Sequence, residues 1–380
     1  MKILHTISSL DIQSGGPSQS VYSLVKGTRN SNFEIEILTF KSKDEATKMI
    51  ANDDFIHTLS YPKYPRFGYS GAINKFYKEH PYDFYYCNGL WQYPSWAAAR
   101  FAMLSKKPFV IMPHGMLYPE GLKKSKWIKK ISMILYQRSV LKHATVIHAT
   151  CKQELEHIRA LGFKNPIAVI PNSIKLINRE LTIKKEKNDK IKVGFIGRFA
   201  PIKNIENLIH AWALTANNKK DYELVLIGDG DMAYTQSLNR LAATLGVKNI
   251  RFTGFLSGIE KEKEINNLTY MVLPSKSENF GMVVPEALIK GIPVIASKGT
   301  PWEELNTCHA GWWIDSGVVP LTKALQQAFQ ISEVERQLMG QNGRKLVEEN
   351  YSIESVAAKM IQLYDWILKG GEKPEFVYLD

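Results

Sequence analysis

The chain has 380 residues, 44% of them hydrophobic and 23% charged, which excludes a disordered protein and exceeds one ordinary core, so about two domains are expected. No apolar run approaches the roughly 18 residues of a membrane span, and "MKILHTISSLDIQS" turns polar before it could serve a secretion signal, so the chain is expected to stay in the cytoplasm. The net charge of +12 is lopsided: residues 1–172 carry 23 Lys and Arg against 12 Asp and Glu, residues 173–380 carry 26 against 25, and an anionic partner is expected at the first half.

The three cysteines, Cys87, Cys151 and Cys308, form no CxxC pair. They argue against a disulfide framework and for buried thiols in a reducing compartment.

Short apolar runs alternate with helical-length segments: "KILHTI", "EIEILTF", "DFYYC", "PFVIM", "ATVIHAT" and "IAVIP", then "KVGFIG", "ELVLIG", "IRFTG", "TYMVLP" and "GIPVIAS". This predicts an α/β protein with two Rossmann-like, doubly wound parallel sheets. The series restarts after the lysine-rich "IPNSIKLINRELTIKKEKNDK". The expected domains are 1–172, a linker at 173–190 and a second domain at 191–354. A helix in 355–380 is expected to pack back on the first domain. Two such sheets would face each other across a cleft, with ligands beyond the carboxyl ends of the strands.

In chain order, Gly15 and Gly16 with Pro17 follow the first strand, either as a structural turn or as a loop whose amides hold a phosphate. His114 and Gly115 follow "PFVIM"; a histidine there either has a structural role, or hydrogen bonds a sugar or neutralises developing phosphate charge. Lys123, Lys124, Lys126, Lys129 and Lys130 surround Trp127, with Ile131, Ile134 and Leu135 at helical spacing. The apolar stripe is expected to pack on the first sheet and the lysines either to face an anionic membrane or acceptor or to form a solvated helix face. No helix-turn-helix, zinc finger or RNA-binding signature accompanies the charge, so nucleic acid is not expected.

In the second half, Arg198 and Lys203 follow a strand and a glycine, either as two solvated surface cations or spaced to grip a diphosphate. Asp229 and Asp231 lie in a glycine-rich turn and are read as turn residues, with no metal site expected. In "LPSKSENFGMVVPEALIKGIPVIAS", Gly281 turns the chain into a helix that Pro285 suits and Gly291 ends. Amides of Gly281, Met282 and Val283 then meet an anion, while Glu278 and Glu286 accept from hydroxyls, a combination that fits a nucleotide sugar.

Glu278, Asn279, Phe280, Gly281 and Glu286 with "EALIKGIPVIAS" resemble the signature of the retaining group 1 glycosyltransferases, whose fold is GT-B. Arg198 with Lys203, "IPNSI", "RFTGF" and "SGGPSQS" are similar to further motifs of that family, in order along nearly the whole chain. The resemblance implies that Glu286 holds the ribose, Glu278 the donor sugar, and Phe255 lines the base pocket. It implies also that Arg198 and Lys203 stabilise the departing diphosphate without a metal and that His114 reaches the donor sugar. Two departures stand out: Ser173, Ile174 and Lys175 replace a usual glycine and aspartate, and Trp302, Trp312 and Trp313 occupy places usually aliphatic. These tryptophans either fill the core or stack on sugar.

The expected function is metal-independent, retaining transfer from a UDP- or GDP-sugar to a lipid-diphosphate-linked saccharide at the inner membrane face. The surface polysaccharide routes, O-antigen or capsule, are the context implied. The alternatives are a sugar-nucleotide epimerase or hydrolase of the same architecture, and a non-catalytic binder of anionic lipid or nucleic acid.

Overall fold

The computed structural model describes residues 1–29, 31–43, 49–176, 190–217 and 219–380. Most of the expected linker, residues 177–189, lies outside the described residues. The chain divides into two compact units, Met1–Lys175 with Ile353–Asp380, and Leu176–Ser352.

The first unit is built on strands β1 (Lys2–Thr6), β2 (Glu34–Phe40), β3 (Ile56–Leu59), β4 (Phe84–Asn88), β5 (Phe109–Met112), β6 (Val146–Ala149) and β7 (Ile167–Val169). They form one sheet in the order β3-β2-β1-β4-β5-β6-β7, all parallel, and β14 (Val377–Tyr378) adds antiparallel to β7. Helices cover both faces, so the central strands are apolar on both sides. Leu4, Tyr85, Cys87, Phe109, Ile111 and Ile147 share one core with Ala97, Ala98 and Ala102 of the helix Tyr93–Leu104. Ile3, Phe84, Tyr86, Val110, Met112 and Val146 share the other. This alternation is the period of two of a pleated strand.

The helix Ile353–Lys369 supplies Val356, Met360, Leu363 and Tyr364 to that second core. It crosses the helix Gly16–Thr28 so closely that a Cβ at Gly27 would stand 2.4 Å from Cγ2 of Ile353. Its Tyr364 hydroxyl is 2.9 Å from Nε2 of the buried His5.

The second unit holds β8 (Ile191–Ile196), β9 (Tyr222–Ile227), β10 (Ile250–Gly254), β11 (Tyr270–Leu273), β12 (Val294–Ser297) and β13 (Gly311–Ile314). Their order is β10-β9-β8-β11-β12-β13, all parallel. Both units therefore have the strand order of a dinucleotide-binding fold, reversing direction between β1 and β4 in one and between β8 and β11 in the other.

Candidate functional site

In an open parallel sheet the loops beyond the strand ends at the reversal point are where ligands sit. In the second unit those loops follow β8 and β11, and they carry Arg198, Lys203 and Glu278.

The loop after β8 is seated on the turn after β9. A Cβ at Gly228 would stand 2.0 Å from the Gly197 carbonyl oxygen, and one at Gly230 would stand 2.1 Å from that of Phe199. Backbone cannot yield as a side chain can, so the glycines of "IGDGD" let the Arg198 loop lie where it does. Asp231 accepts from the Tyr234 amide at 3.2 Å and caps the helix Met232–Thr244. Its carboxylate thus has a turn role.

The loops after β8 and β11 are stitched together. The Lys276 amide donates to the Ile202 carbonyl at 2.8 Å, and Asn204 Nδ2 donates to the Pro274 carbonyl at 3.2 Å. Lys203 Nζ donates to Glu278 Oε2, which also accepts from the Ser275 hydroxyl at 3.3 Å. The Glu278 amide donates to the Gly299 carbonyl at 2.8 Å, fixing the backbone from the far side.

Gly281 has φ +76, and a Cβ there would meet Leu273 at 2.9 Å, so this turn requires glycine. Phe280 is buried, and its carbonyl accepts from the indole Nε1 of Trp302 at 2.5 Å. Trp302 is 1% exposed and packs on Phe280 and Tyr351, so it supports the Gly281 turn from within the core and presents no face to a sugar. Trp313 Nε1 donates to the Thr300 carbonyl at 2.9 Å, and Trp312 lies against the Tyr270 ring.

The helix after Gly281 spans Val283–Leu288, with Met282 as its cap and Gly291 at φ +71 beyond its end. Six residues generate little macrodipole, so an anion there would be held chiefly by side chains. Glu286 lies in this helix, and its Oε2 accepts from Lys261 Nζ at 2.6 Å. Lys261 did not emerge from the sequence: it is one lysine of the "EKEKE" run, with nothing local to tie it to Glu286.

Two acids beside an anion site would repel the ligand if bare. Each is matched by a lysine, Glu278 by Lys203 and Glu286 by Lys261, while Arg198 is exposed and makes no ion pair among the described residues. The uncompensated charge of the set is therefore positive. Phe255, after β10, is two-thirds exposed.

In the first unit Gly15 (φ +84) and Gly16 open the helix Gly16–Thr28, with Pro17 in its first turn. Both glycines are exposed, and a Cβ at either would meet nothing within 4 Å. Packing within the unit thus places no steric demand on them, and the left-handed φ asks for glycine at Gly15 alone.

His114 (φ +52) and Gly115 (φ +75) form a left-handed turn after β5. The His114 residue is partly exposed, yet its Nε2 is enclosed and has no hydrogen-bond partner. Burial, with the neighbouring His148, holds its pKa down to about 3, so the ring is neutral at physiological pH.

The basic segment departs from expectation. It is broken at Ser125 (φ +56) into the helices Pro119–Lys123 and Lys126–Ser132, then runs as a π-helix over Met133–Gln137 and as an α-helix over Arg138–His143. The stripe expected on the sheet faces out instead: Trp127 is 72% exposed, Ile134 and Leu135 74% each, with Ile128 and Ile131 beside them. The buried face is supplied by Gln137, Val140 and Leu141, with Met133 packed against the core. Both faces carry apolar residues, so periodicity alone could not say which one turns inward.

Lys123, Lys124, Lys126 and Lys130 are exposed, but Lys129 turns inward. Its Nζ donates to the Gly121 carbonyl at 2.5 Å and sits 5.7 Å from the Trp91 ring, so it is no free surface cation. The Tyr136 hydroxyl donates to the Trp91 carbonyl at 2.9 Å and Gln137 Oε1 accepts from its amide at 3.1 Å. The π-helix thereby brings two consecutive side chains onto one residue. No helix among the described residues is long and apolar enough to cross a membrane.

Two doubly wound units, each with its own reversal point, are the components of the GT-B fold. Models of two families match the chain, "Glycosyl transferase 4-like domain" over residues 15–173 and "Glycosyl transferases group 1" over residues 178–346. The chain belongs to the group 1 glycosyltransferases.

It is 25% identical to the capsular polysaccharide biosynthesis glycosyltransferase CapM of Staphylococcus aureus over 61% of each chain. It is 31% identical to an uncharacterised glycosyltransferase of Methanocaldococcus jannaschii over 47% of this chain and 45% of that one. The matches thus span less than two thirds of these relatives' length. The crystal structure of HepE from Anabaena in complex with UDP and glucose superposes with a TM-score of 0.73 at 17% identity, covering 96% of this chain and 99% of that one. At that identity the likeness speaks for the fold.

Proposed function

We propose that the protein transfers a hexose from a UDP- or GDP-linked donor to a hydroxyl of a lipid-diphosphate-linked saccharide during surface polysaccharide assembly. The observation that carries this reading is the arrangement at the reversal point of the second unit. There Lys203 is paired with Glu278, Lys261 with Glu286, and Arg198 stands uncompensated. Family membership, the polysaccharide role named for CapM and the UDP and glucose in HepE support it.

In this reading Glu286 accepts from the ribose hydroxyls and Glu278 from those of the donor sugar. Each carboxylate has a second oxygen with which to accept while its lysine stays near. Phe255 flanks the base, Asn279 and Phe280 shape the turn, and the amides from Gly281 to Val283 meet the sugar and phosphate. Gly15 and Gly16 contribute an open backbone approach from the first unit. Arg198 and Lys203 take the developing charge of the nucleoside diphosphate as the anomeric carbon–oxygen bond breaks, a task a metal performs elsewhere. The acceptor oxygen attaches on the face the phosphate leaves, and its proton passes to the departing phosphate oxygen. Configuration is retained, with no enzymatic general base. His114, neutral, hydrogen bonds the donor sugar.

The exposed side chains of Trp127, Ile131, Ile134 and Leu135, with the exposed Lys123, Lys124, Lys126 and Lys130 of the same segment, lie on the inner face of an anionic membrane. Lysine charge and apolar burial act together there, each basic residue contributing about 1 kcal/mol. The protein is then peripheral to the cytoplasmic face, with the lipid-linked acceptor close by.

The test is transfer itself: UDP-glucose and GDP-mannose carrying a labelled sugar, with a bacterial lipid extract as acceptor. Label in the lipid phase, with its α configuration kept, is expected. Free or epimerised sugar without acceptor would contradict the proposal.

A further inference from the structure

Glu154 is fully buried and makes no ion pair among the described residues. Its oxygens instead accept from donors on two loops. Oε1 takes the Gly115 amide at 2.5 Å, and Oε2 takes the Thr150 amide at 2.8 Å and hydroxyl at 2.9 Å. Gly115 follows β5 and Thr150 follows β6, neighbours in the sheet. A carboxylate removed from water without partners is strongly disfavoured, so these donors are the condition of its burial.

Its place in the helix sharpens the point. Glu154 is the third residue of the helix Lys152–Ala160, capped by Cys151. A glutamate there commonly bonds back to the capping residue's own amide. This one reaches past it to the loop of the adjacent strand.

That loop is strained. A histidine with φ +52 sits in a sparsely populated backbone region and persists only where its surroundings over-determine it. Glu154 holds the turn from one side, and Gly121 crowds it from another, where a Cβ would stand 3.3 Å from the carbonyl oxygens of Gly115 and Met116.

We infer that Glu154 is a positioning residue for transfer, its Oε1 fixing the Gly115 amide so that the His114 ring is presented to the donor sugar. This rests on the role proposed for His114. Glu154 itself touches no substrate.

Glu154→Gln isolates the role. Its amide can keep the carbonyl oxygen toward Thr150, but its NH2 then opposes the Gly115 N–H, donor against donor, with volume conserved. Turnover is read as UDP or GDP release from UDP-glucose or GDP-mannose, with the lipid extract as acceptor. The expected result is kcat lowered tenfold or more, donor KM within twofold of wild type, and a kcat for the Glu154→Gln, His114→Ala double variant no lower than for His114→Ala alone. In the unaltered protein, hydrogen exchange should find the Gly115 amide protected despite its place in a surface turn.

Wild-type kcat in Glu154→Gln beside an impaired His114→Ala would overturn the inference and leave the His114 reading standing. Wild-type kcat in His114→Ala would remove that reading, and the inference with it. Multiplicative losses in the double variant, or an unprotected Gly115 amide, would overturn the inference as well.

Discussion

Lys203 and Glu278 are 75 residues apart in sequence and joined by one charge-assisted hydrogen bond, which ties the loop after β8 to the loop after β11 across the reversal point of the second sheet. The pair shows how an acid can stand where the proposed function puts a phosphate: its charge is already matched, and Arg198 is left over. Replacing Lys203 by alanine is expected to lower kcat by about a hundredfold, the weight of one group that stabilises charge in the transition state, with donor KM changed far less. Steady-state kinetics on a purified variant decide this. A rise in KM alone would reassign Lys203 to ground-state binding.

Glu286 and Lys261 predict a different signature. If Glu286 accepts from ribose, Glu286→Ala should weaken nucleoside diphosphate binding about tenfold, as one hydrogen bond to a charged acceptor does. It should also abolish discrimination between ribo- and 2′-deoxyribonucleotides. Lys261→Met should weaken binding less, because the carboxylate it leaves is part exposed. Calorimetric titration with UDP and 2′-deoxy-UDP, or the GDP pair, reads both. Discrimination retained in Glu286→Ala would place the ribose elsewhere.

The outward-facing helix makes a prediction about location. Serine at Trp127, Ile131, Ile134 and Leu135 should scarcely change thermal stability, because these side chains are already exposed. The same change should abolish sedimentation with vesicles containing phosphatidylglycerol. Lys123→Ala and Lys124→Ala should each weaken vesicle binding about fivefold, the equivalent of about 1 kcal/mol, and the loss should shrink as salt rises. Vesicle binding unaffected by the serine variant would move the membrane surface elsewhere.

Two buried histidines, His5 and His148, and the enclosed ring nitrogen of His114 give the first unit an acid limit. Burial lowers His5 and His114 to about 3 and His148 to about 4, from an ordinary 6.5. The unfolded chain therefore binds more protons than the folded one between those values, so stability is full above pH 6.5 and falls as pH drops toward 4. The slope is about 1.4 kcal/mol per pH unit for each histidine. Unfolding midpoints between pH 7.5 and 4.5 should show it, and His5→Phe should remove about one proton from the uptake. A midpoint flat over that range would contradict the burial of these rings as neutral groups.

Much of this could be read in the sequence, for a physical reason. Every apolar run named at the outset is a strand, because central strands of a parallel sheet are buried on both faces and advertise themselves as continuous β-branched and aromatic runs. The strands that escaped notice are short or peripheral: β3 is four residues after "NDDF" with only Ile56 buried, β14 is two residues, and β13 hides in "GWWI" as a tryptophan pair.

At the site, residue types and turns could be read, since glycine at Gly281 and acids at Glu278 and Glu286 are local features. Pairings could not. Lys261 finds Glu286 from 25 residues away, and Trp302 finds the Phe280 carbonyl from 22. Glu154 gave only the signal of a glutamate three residues after a helix cap, which does not announce a bond to the neighbouring strand's loop.

The most direct test of the central claim is nucleotide binding by the second unit's loops. Thermal unfolding of the full chain should be followed with UDP, GDP and ADP at concentrations up to the millimolar range, for the wild type and for the Arg198→Ala, Lys203→Ala double variant. The account predicts that at least one nucleoside diphosphate raises the wild-type midpoint with the logarithm of its concentration once that exceeds Kd, and that the shift is smaller in the double variant. No shift with any nucleotide, or an equal shift in the double variant, would contradict it.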